Sequence, residues 1–123
     1  MAKILVVDDE VGMGRIFERL LSGRAEVTAT TTGEEALQLV DEERFDVILC
    51  DLNMPTMSGV EFYRALEDRG INTDRVAFIT GGAFTEEDQG FVEDLTHPVL
   101  YKPFGIKELH ALIDDMLTMV DQS

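Results

Sequence analysis

The sequence has one cysteine, Cys50, in 123 residues, so no disulfide forms within the chain and nothing signals an oxidising compartment. Basic residues are also scarce. Ten lysines and arginines face 25 aspartates and glutamates, a formal net charge of −15. Such a chain repels phosphate backbones and anionic lipid, which argues against direct nucleic-acid or membrane-surface binding. Its natural partners are divalent cations and basic protein faces. Long hydrophobic runs are missing as well. Only four apolar residues, Ile4 to Val7, follow Lys3 before the acids begin, too few for the core of a signal peptide. No run approaches the roughly 18 apolar residues that span a bilayer. Repeats, low-complexity segments and linkers are not seen, and only Asp121-Gln122-Ser123 reads as a frayed end. The expectation is a cytoplasmic protein without membrane insertion, one domain over residues 1–123 with its core at about 3–120. A hydrophobic content of 45% is ordinary for a globular fold and too high for an acidic disordered tail.

What is there alternates. Four short apolar runs, Ile4 to Val7, Val47 to Cys50, Val76 to Ile79 and Pro98 to Tyr101, read as strands, with Ala25 to Ala29 a weaker fifth. Apolar runs without alternation belong to strands buried on both faces, as in a parallel sheet covered by helices. Between them the period becomes helical. Met13, Ile16, Phe17, Leu20 and Leu21 share one face, as do Phe62, Tyr63 and Leu66; Ile106, Leu109, Ile113, Met116, Leu117 and Val120 form the clearest stripe. Thr32-x-x-Glu35 and Ser58-x-x-Glu61 read as capping boxes, Thr85-x-x-Asp88 as a weaker one, and Gly70 as a helix-ending glycine. Five strands alternating with five helices give an α/β fold, (βα)5, with helices on both faces of a parallel sheet.

Ligands of such sheets bind outside the carboxyl ends of the strands. Those ends carry Asp8-Asp9, Asp51, Thr80 and Lys102, far apart in sequence but brought to one edge. Three carboxylates together call for a counter-charge, and a hard divalent cation, Mg²⁺ or Mn²⁺, supplies it. Asp51, at the tip of a central strand, suits a carboxylate nucleophile; Lys102 and the Thr80 hydroxyl suit a phosphoryl oxygen. The chemistry this points to is phosphoryl transfer by positioning and electrostatics.

With these residues quoted, the sequence closely resembles the receiver domain of two-component response regulators, the CheY-like fold, from Lys3 to about Val120. The resemblance is carried by Ile4-Leu5-Val6-Val7-Asp8-Asp9-Glu10, Asp51-Leu52-Asn53-Met54-Pro55 with Ser58-Gly59, Thr80-Gly81, and Lys102-Pro103-Phe104. It implies strand order 2-1-3-4-5. It further implies that Asp51 is the phosphoacceptor and that Asp9, Asp51 and the Asn53 backbone carbonyl hold Mg²⁺, with Asp8 acting mainly through water. Lys102 would pair with the phosphoryl group, Thr80 would move toward it, and the Lys102-Pro103 bond would be cis. The donor would be a phosphohistidine on a histidine kinase or phosphotransfer domain.

One departure from the family pattern stands out. The aromatic residue usual three positions before the lysine is Val99 here, and Tyr101 is poorly offset to replace it. The double glycine Gly81-Gly82 fits either a mobile loop or a tight turn. The stretch from Leu95 to Leu100 is similar to receivers of hybrid sensor histidine kinases, so the chain reads as an excised receiver or a single-domain regulator. His97 and His110 are expected to be neither metal ligands nor relay histidines, and Cys50 a buried strand residue. Exposed residues of the last helix and of the Thr85 helix would supply a partner or weak homodimer surface. The alternative function is a phosphorylation-independent interaction module. An aspartyl-phosphate phosphatase would need a cap that 123 residues do not hold, and a flavin protein would need phosphate-cradling donors where Asp8-Asp9-Glu10 stand. Turnover of an external substrate is therefore not expected.

Overall fold

The computed structural model describes residues 1–81, 86–94 and 97–122. The strands are β1 (Ala2–Val7), β2 (Ala25–Thr30), β3 (Val47–Asp51), β4 (Val76–Thr80) and β5 (Val99–Tyr101). The helices are α1 (Met13–Leu20), α2 (Gly33–Glu42), α3 (Gly59–Asp68), α4 (Glu86–Asp94) and α5 (Ile106–Gln122), with a short 3-10 turn, Thr73–Arg75, before β4. The strands form one sheet in the order β2-β1-β3-β4-β5, and every pairing is parallel.

The unalternating strand runs divide themselves between two cores. Leu5 and Val7, Ile48 and Cys50, and Val76 and Phe78 face one side, where Ala36 and Leu37 of α2 and Val60, Phe62, Tyr63 and Leu66 of α3 cover them. Ile4 and Val6, Val47 and Leu49, and Ala77 and Ile79 face the other, beneath Met13 and Phe17 of α1 and Leu109, Ile113 and Met116 of α5. Each fully buried Leu, Ile or Phe removes enough apolar surface to contribute roughly 2 kcal/mol. Two filled layers pack the sheet from both faces and set the positions from which its carboxyl edge projects.

Local signals set the helix ends. Ser58 and Glu61 form a reciprocal capping box at α3, whereas at α2 only half a box is present, Thr32 accepting from the Glu35 N–H at 3.1 Å. After α3 the chain turns through Gly70 at φ 72°, with Gly70 N–H to the Glu67 carbonyl at 2.9 Å and Ile71 N–H to the Leu66 carbonyl at 3.0 Å. That pair of bonds is the Schellman arrangement, and it needs a residue free to adopt positive φ. Two expectations change. Ile16 is not part of the core face of α1 but 46% exposed, and Ile106 is likewise 48% exposed at the start of α5. Phe17 and Leu109, on the faces packed against the sheet, take the burial instead. The Thr85 cap, the 82–84 loop, Leu95, Thr96 and the Val120 side chain lie outside the described residues.

Candidate functional site

Two strand ends bring the acids together. Asp8 follows β1 and is tied to the sheet by its N–H to the Thr30 carbonyl at 3.1 Å; Asp51 closes β3 and pairs in register with Ile79. Asp8 and Asp51 are buried, at 2% and 4% exposure, while Asp9 faces solvent. One carboxylate oxygen from each of Asp8, Asp9 and Asp51 lies within 4.8 Å of the others. The α3 helix contributes by approaching closely. A β-carbon on Gly59 would stand 2.7 Å from the Asp51 carbonyl and 2.8 Å from the Leu52 α-carbon, so only glycine lets the helix start here.

The two buried carboxylates are oriented by backbone N–H groups. Asp51 Oδ1 accepts the Asn53 N–H at 2.9 Å, and Asp8 Oδ1 accepts the Glu10 N–H at 2.9 Å. Lys102 enters from the far end of β5, where its N–H donates to the Thr80 carbonyl at 2.8 Å and its bond to Pro103 is cis. Its ammonium is 2.9 Å from Asp8 Oδ2, 3.1 Å from Glu10 Oε1 and 3.6 Å from Asp51 Oδ2. Thr80 ends β4 fully buried, joined to Lys102 through that backbone bond.

The electrostatics follow from burial. Loss of water pushes the Asp51 carboxyl up from 3.8 to about 6; the Asn53 N–H and Lys102 oppose the rise, and Asp8 and Asp9 add to it. Burial alone would lower the Lys102 ammonium, but the Asp8 and Glu10 carboxylates outweigh it and Asp51 assists, so it stays protonated. Desolvation, with Asp51 and Asp8 nearby, raises the buried Cys50 thiol well above its usual range, which makes it a poor nucleophile. The carboxylate set fits a hard divalent cation: oxygen donors from three acids, two of them buried, with an acceptor whose ionisation a cation would favour.

The structure thus unites Asp8, Asp9, Asp51 and Lys102, with Asn53 donating to Asp51 and Thr80 bonded to Lys102. Sequence reasoning did not single out Glu10. Its only signal was its position as the third acid after β1. The histidines go elsewhere: His97 Nε2 is 2.7 Å from the Thr73 carbonyl and His110 Nε2 is 2.8 Å from the Leu20 carbonyl. Tyr101 is 53% exposed, and the partly buried Val99, which has no ring, packs on the α2–α3 core.

Residues 4–114 match the family profile of the response regulator receiver domain. The chain belongs to that family. It is 31% identical over 117 residues to the transcriptional regulatory protein CiaR of Streptococcus pneumoniae, covering 95% of this chain and 52% of that protein. It is 30% identical to a probable chemotaxis protein CheY of Rhizobium etli, covering 91% of this chain and 89% of that one. Among solved structures, chemotaxis protein CheY4 of Vibrio cholerae superposes with a TM-score of 0.83 at 31% identity, covering 95% and 99% of the two chains. The receiver spans about half the length of CiaR and of several other curated relatives it matches. No helix among the receiver's described residues is long and apolar enough to cross a membrane.

Proposed function

We propose that Asp51 is the phosphoacceptor of this receiver and that Asp8, Asp9, Asp51 and the Asn53 carbonyl hold Mg²⁺ or a like cation. The observation that carries the reading is a buried carboxylate at the tip of a central strand, with two acids beside it and Lys102 at 3.6 Å. Bound there, the cation would neutralise carboxylate charge and stabilise negative charge developing on the phosphoryl oxygens. Asp51 supplies the attacking oxygen: its bond to phosphorus forms as the donor's N–P bond breaks, and the departing imidazole takes up a proton. The product is an acyl phosphate that water later cleaves, returning Asp51 and inorganic phosphate. Lys102 offers N–H donors to the transferred group, and Thr80 is the hydroxyl that turns toward it.

The donor we infer is a phosphohistidine on a histidine kinase or phosphotransfer domain, in the cytoplasm, with residues 1–123 acting as one receiver unit and no external substrate turned over. The charge of −15 supports protein rather than nucleic-acid contacts for this chain. A phosphorylation-independent module would leave the full acid set with Lys102 without a purpose. Incubation with Mg²⁺ and acetyl phosphate, followed by intact-mass measurement, tests the reading. One phosphoryl group is expected on the wild type and none on Asp51→Asn; a wild type unmodified by acetyl phosphate or any phosphorylated kinase would refute it.

A further inference from the structure

An ammonium has three N–H donors; one on Lys102 is given to Glu10 Oε1 at 3.1 Å, while Asp8 Oδ2 at 2.9 Å and Asp51 Oδ2 at 3.6 Å are ion-pair neighbours of the same ammonium. A phosphoryl group arriving on Asp51 needs one of those donors. Asp8 cannot readily yield. It is 2% exposed, and its other oxygen is pinned by the Glu10 N–H at 2.9 Å. The Glu10 side chain, by contrast, is 64% exposed and swings into water at little cost. Its backbone N–H keeps holding Asp8 when the side chain leaves.

From this we propose that Glu10 is a positioning residue for phosphoryl transfer, a resting-state counter-ion that pairs with the Lys102 ammonium and gives way to the incoming phosphoryl oxygen. The inference rests on the reading of Asp51 as the acceptor. Asp8 and Asp51 still hold Lys102 at the site when Glu10 leaves, so the effect of Glu10 is to compete with the donor for that ammonium. Competition in the ground state raises the donor concentration needed for half-maximal rate and leaves the rate at saturation nearly unchanged. The plain surface-pair alternative predicts no kinetic change, because exposed ion pairs stabilise little.

The test uses the whole chain at saturating Mg²⁺, with the rate of phosphoryl uptake followed against acetyl phosphate concentration. Glu10→Gln should lower the half-saturating acetyl phosphate about two- to five-fold, the factor that loss of an exposed ion pair carries, with the maximal rate held. Glu34→Gln is the charge-matched control: Glu34 begins α2 at the same sheet edge and contacts Thr56 rather than Lys102, so its half-saturation should not move. In about 0.5 M NaCl the difference between Glu10→Gln and wild type should shrink, as screening predicts. An unchanged half-saturation in Glu10→Gln, a lowered maximal rate in its place, or an equal drop in Glu34→Gln each overturns the inference. Failure of the wild type to take up a phosphoryl group instead overturns the reading of Asp51, which separates the two outcomes.

Discussion

Asp51 is buried with two like charges beside it, and its carboxyl is pushed up to about 6. That has a sign for stability. Below about pH 4 the carboxyl is protonated in both the folded and the unfolded chain, and its neutral form stabilises the fold. As pH rises toward 6 the unfolded chain ionises first, so this contribution is progressively lost; above about pH 6 the loss is complete. A shift of this size is worth on the order of 3 kcal/mol. Asp51→Asn keeps an acceptor for the Asn53 N–H and carries no charge. In metal-free buffer, urea unfolding should therefore find the variant more stable than wild type at neutral pH, by on the order of 2–3 kcal/mol. The gap should close as pH falls to about 4. A gap that stayed constant across that range would show that Asp51 carries no burial penalty. The acid was visible in the sequence as a strand-ending aspartate; its raised pKa was not, since that depends on Asp8, 43 residues away, and on closed cores. Glu10 escaped for the same reason, because the lysine it binds is 92 residues distant.

At the scale of elements, legibility followed burial on both faces. β1, β3 and β4 were plain because Ile4 to Val7, Val47 to Cys50 and Val76 to Ile79 are apolar whichever core they enter. β2 was faint because it forms one edge of the sheet, and between its buried ends, Ala25 and Thr30, four residues are partly or fully exposed. The turn Thr73–Arg75 is only three residues long, and no period announces it; its Asn72 cap, accepting the Asp74 N–H at 3.0 Å, is legible only afterwards. Nor did the sequence disclose that the His97 ring would stand edge-on to Tyr63 of the α2–α3 core, at 5.3 Å between centroids. The start of α3 yields a prediction at this scale. Gly59→Ala forces a methyl group against the Asp51 and Leu52 backbone, which has no room to yield without moving the acceptor. Overpacking of this kind costs about 1–3 kcal/mol. Because the clash is with the acceptor's own carbonyl, phosphoryl uptake should slow in protein that is still folded. Ser58→Ala, which loses about 1 kcal/mol of capping at the same helix end, is the comparison. Equal uptake rates for the two variants, measured where both are fully folded, would separate α3 packing from acceptor geometry and count against the link.

Across the whole molecule the charge of −15 has two origins that salt distinguishes. Most acids lie on solvated helix faces, and a few meet cations there, as in Arg24–Asp114 at 3.4 Å and Arg69–Asp41 at 3.2 Å, exposed pairs that stabilise little. Their mutual repulsion is diffuse, so any monovalent salt should relieve it and raise the melting temperature modestly. Asp8, Asp9 and Asp51 are different, since three oxygens within 4.8 Å repel at short range in a partly desolvated site that bulk ions screen poorly. A divalent cation bound to the folded chain alone stabilises it by mass action, about 1.4 kcal/mol at ten times its dissociation constant. For a chain of this length that is a rise of roughly 4–8 °C. Melting curves at constant ionic strength, with NaCl exchanged for MgCl2, should therefore show an increment beyond screening. Asp9→Asn, an exposed substitution, should keep the NaCl response and lose the Mg²⁺ increment. If Mg²⁺ raised the melting temperature of wild type and Asp9→Asn equally, the cation would be acting on the diffuse surface charge, and the three carboxylates would have no special claim on it.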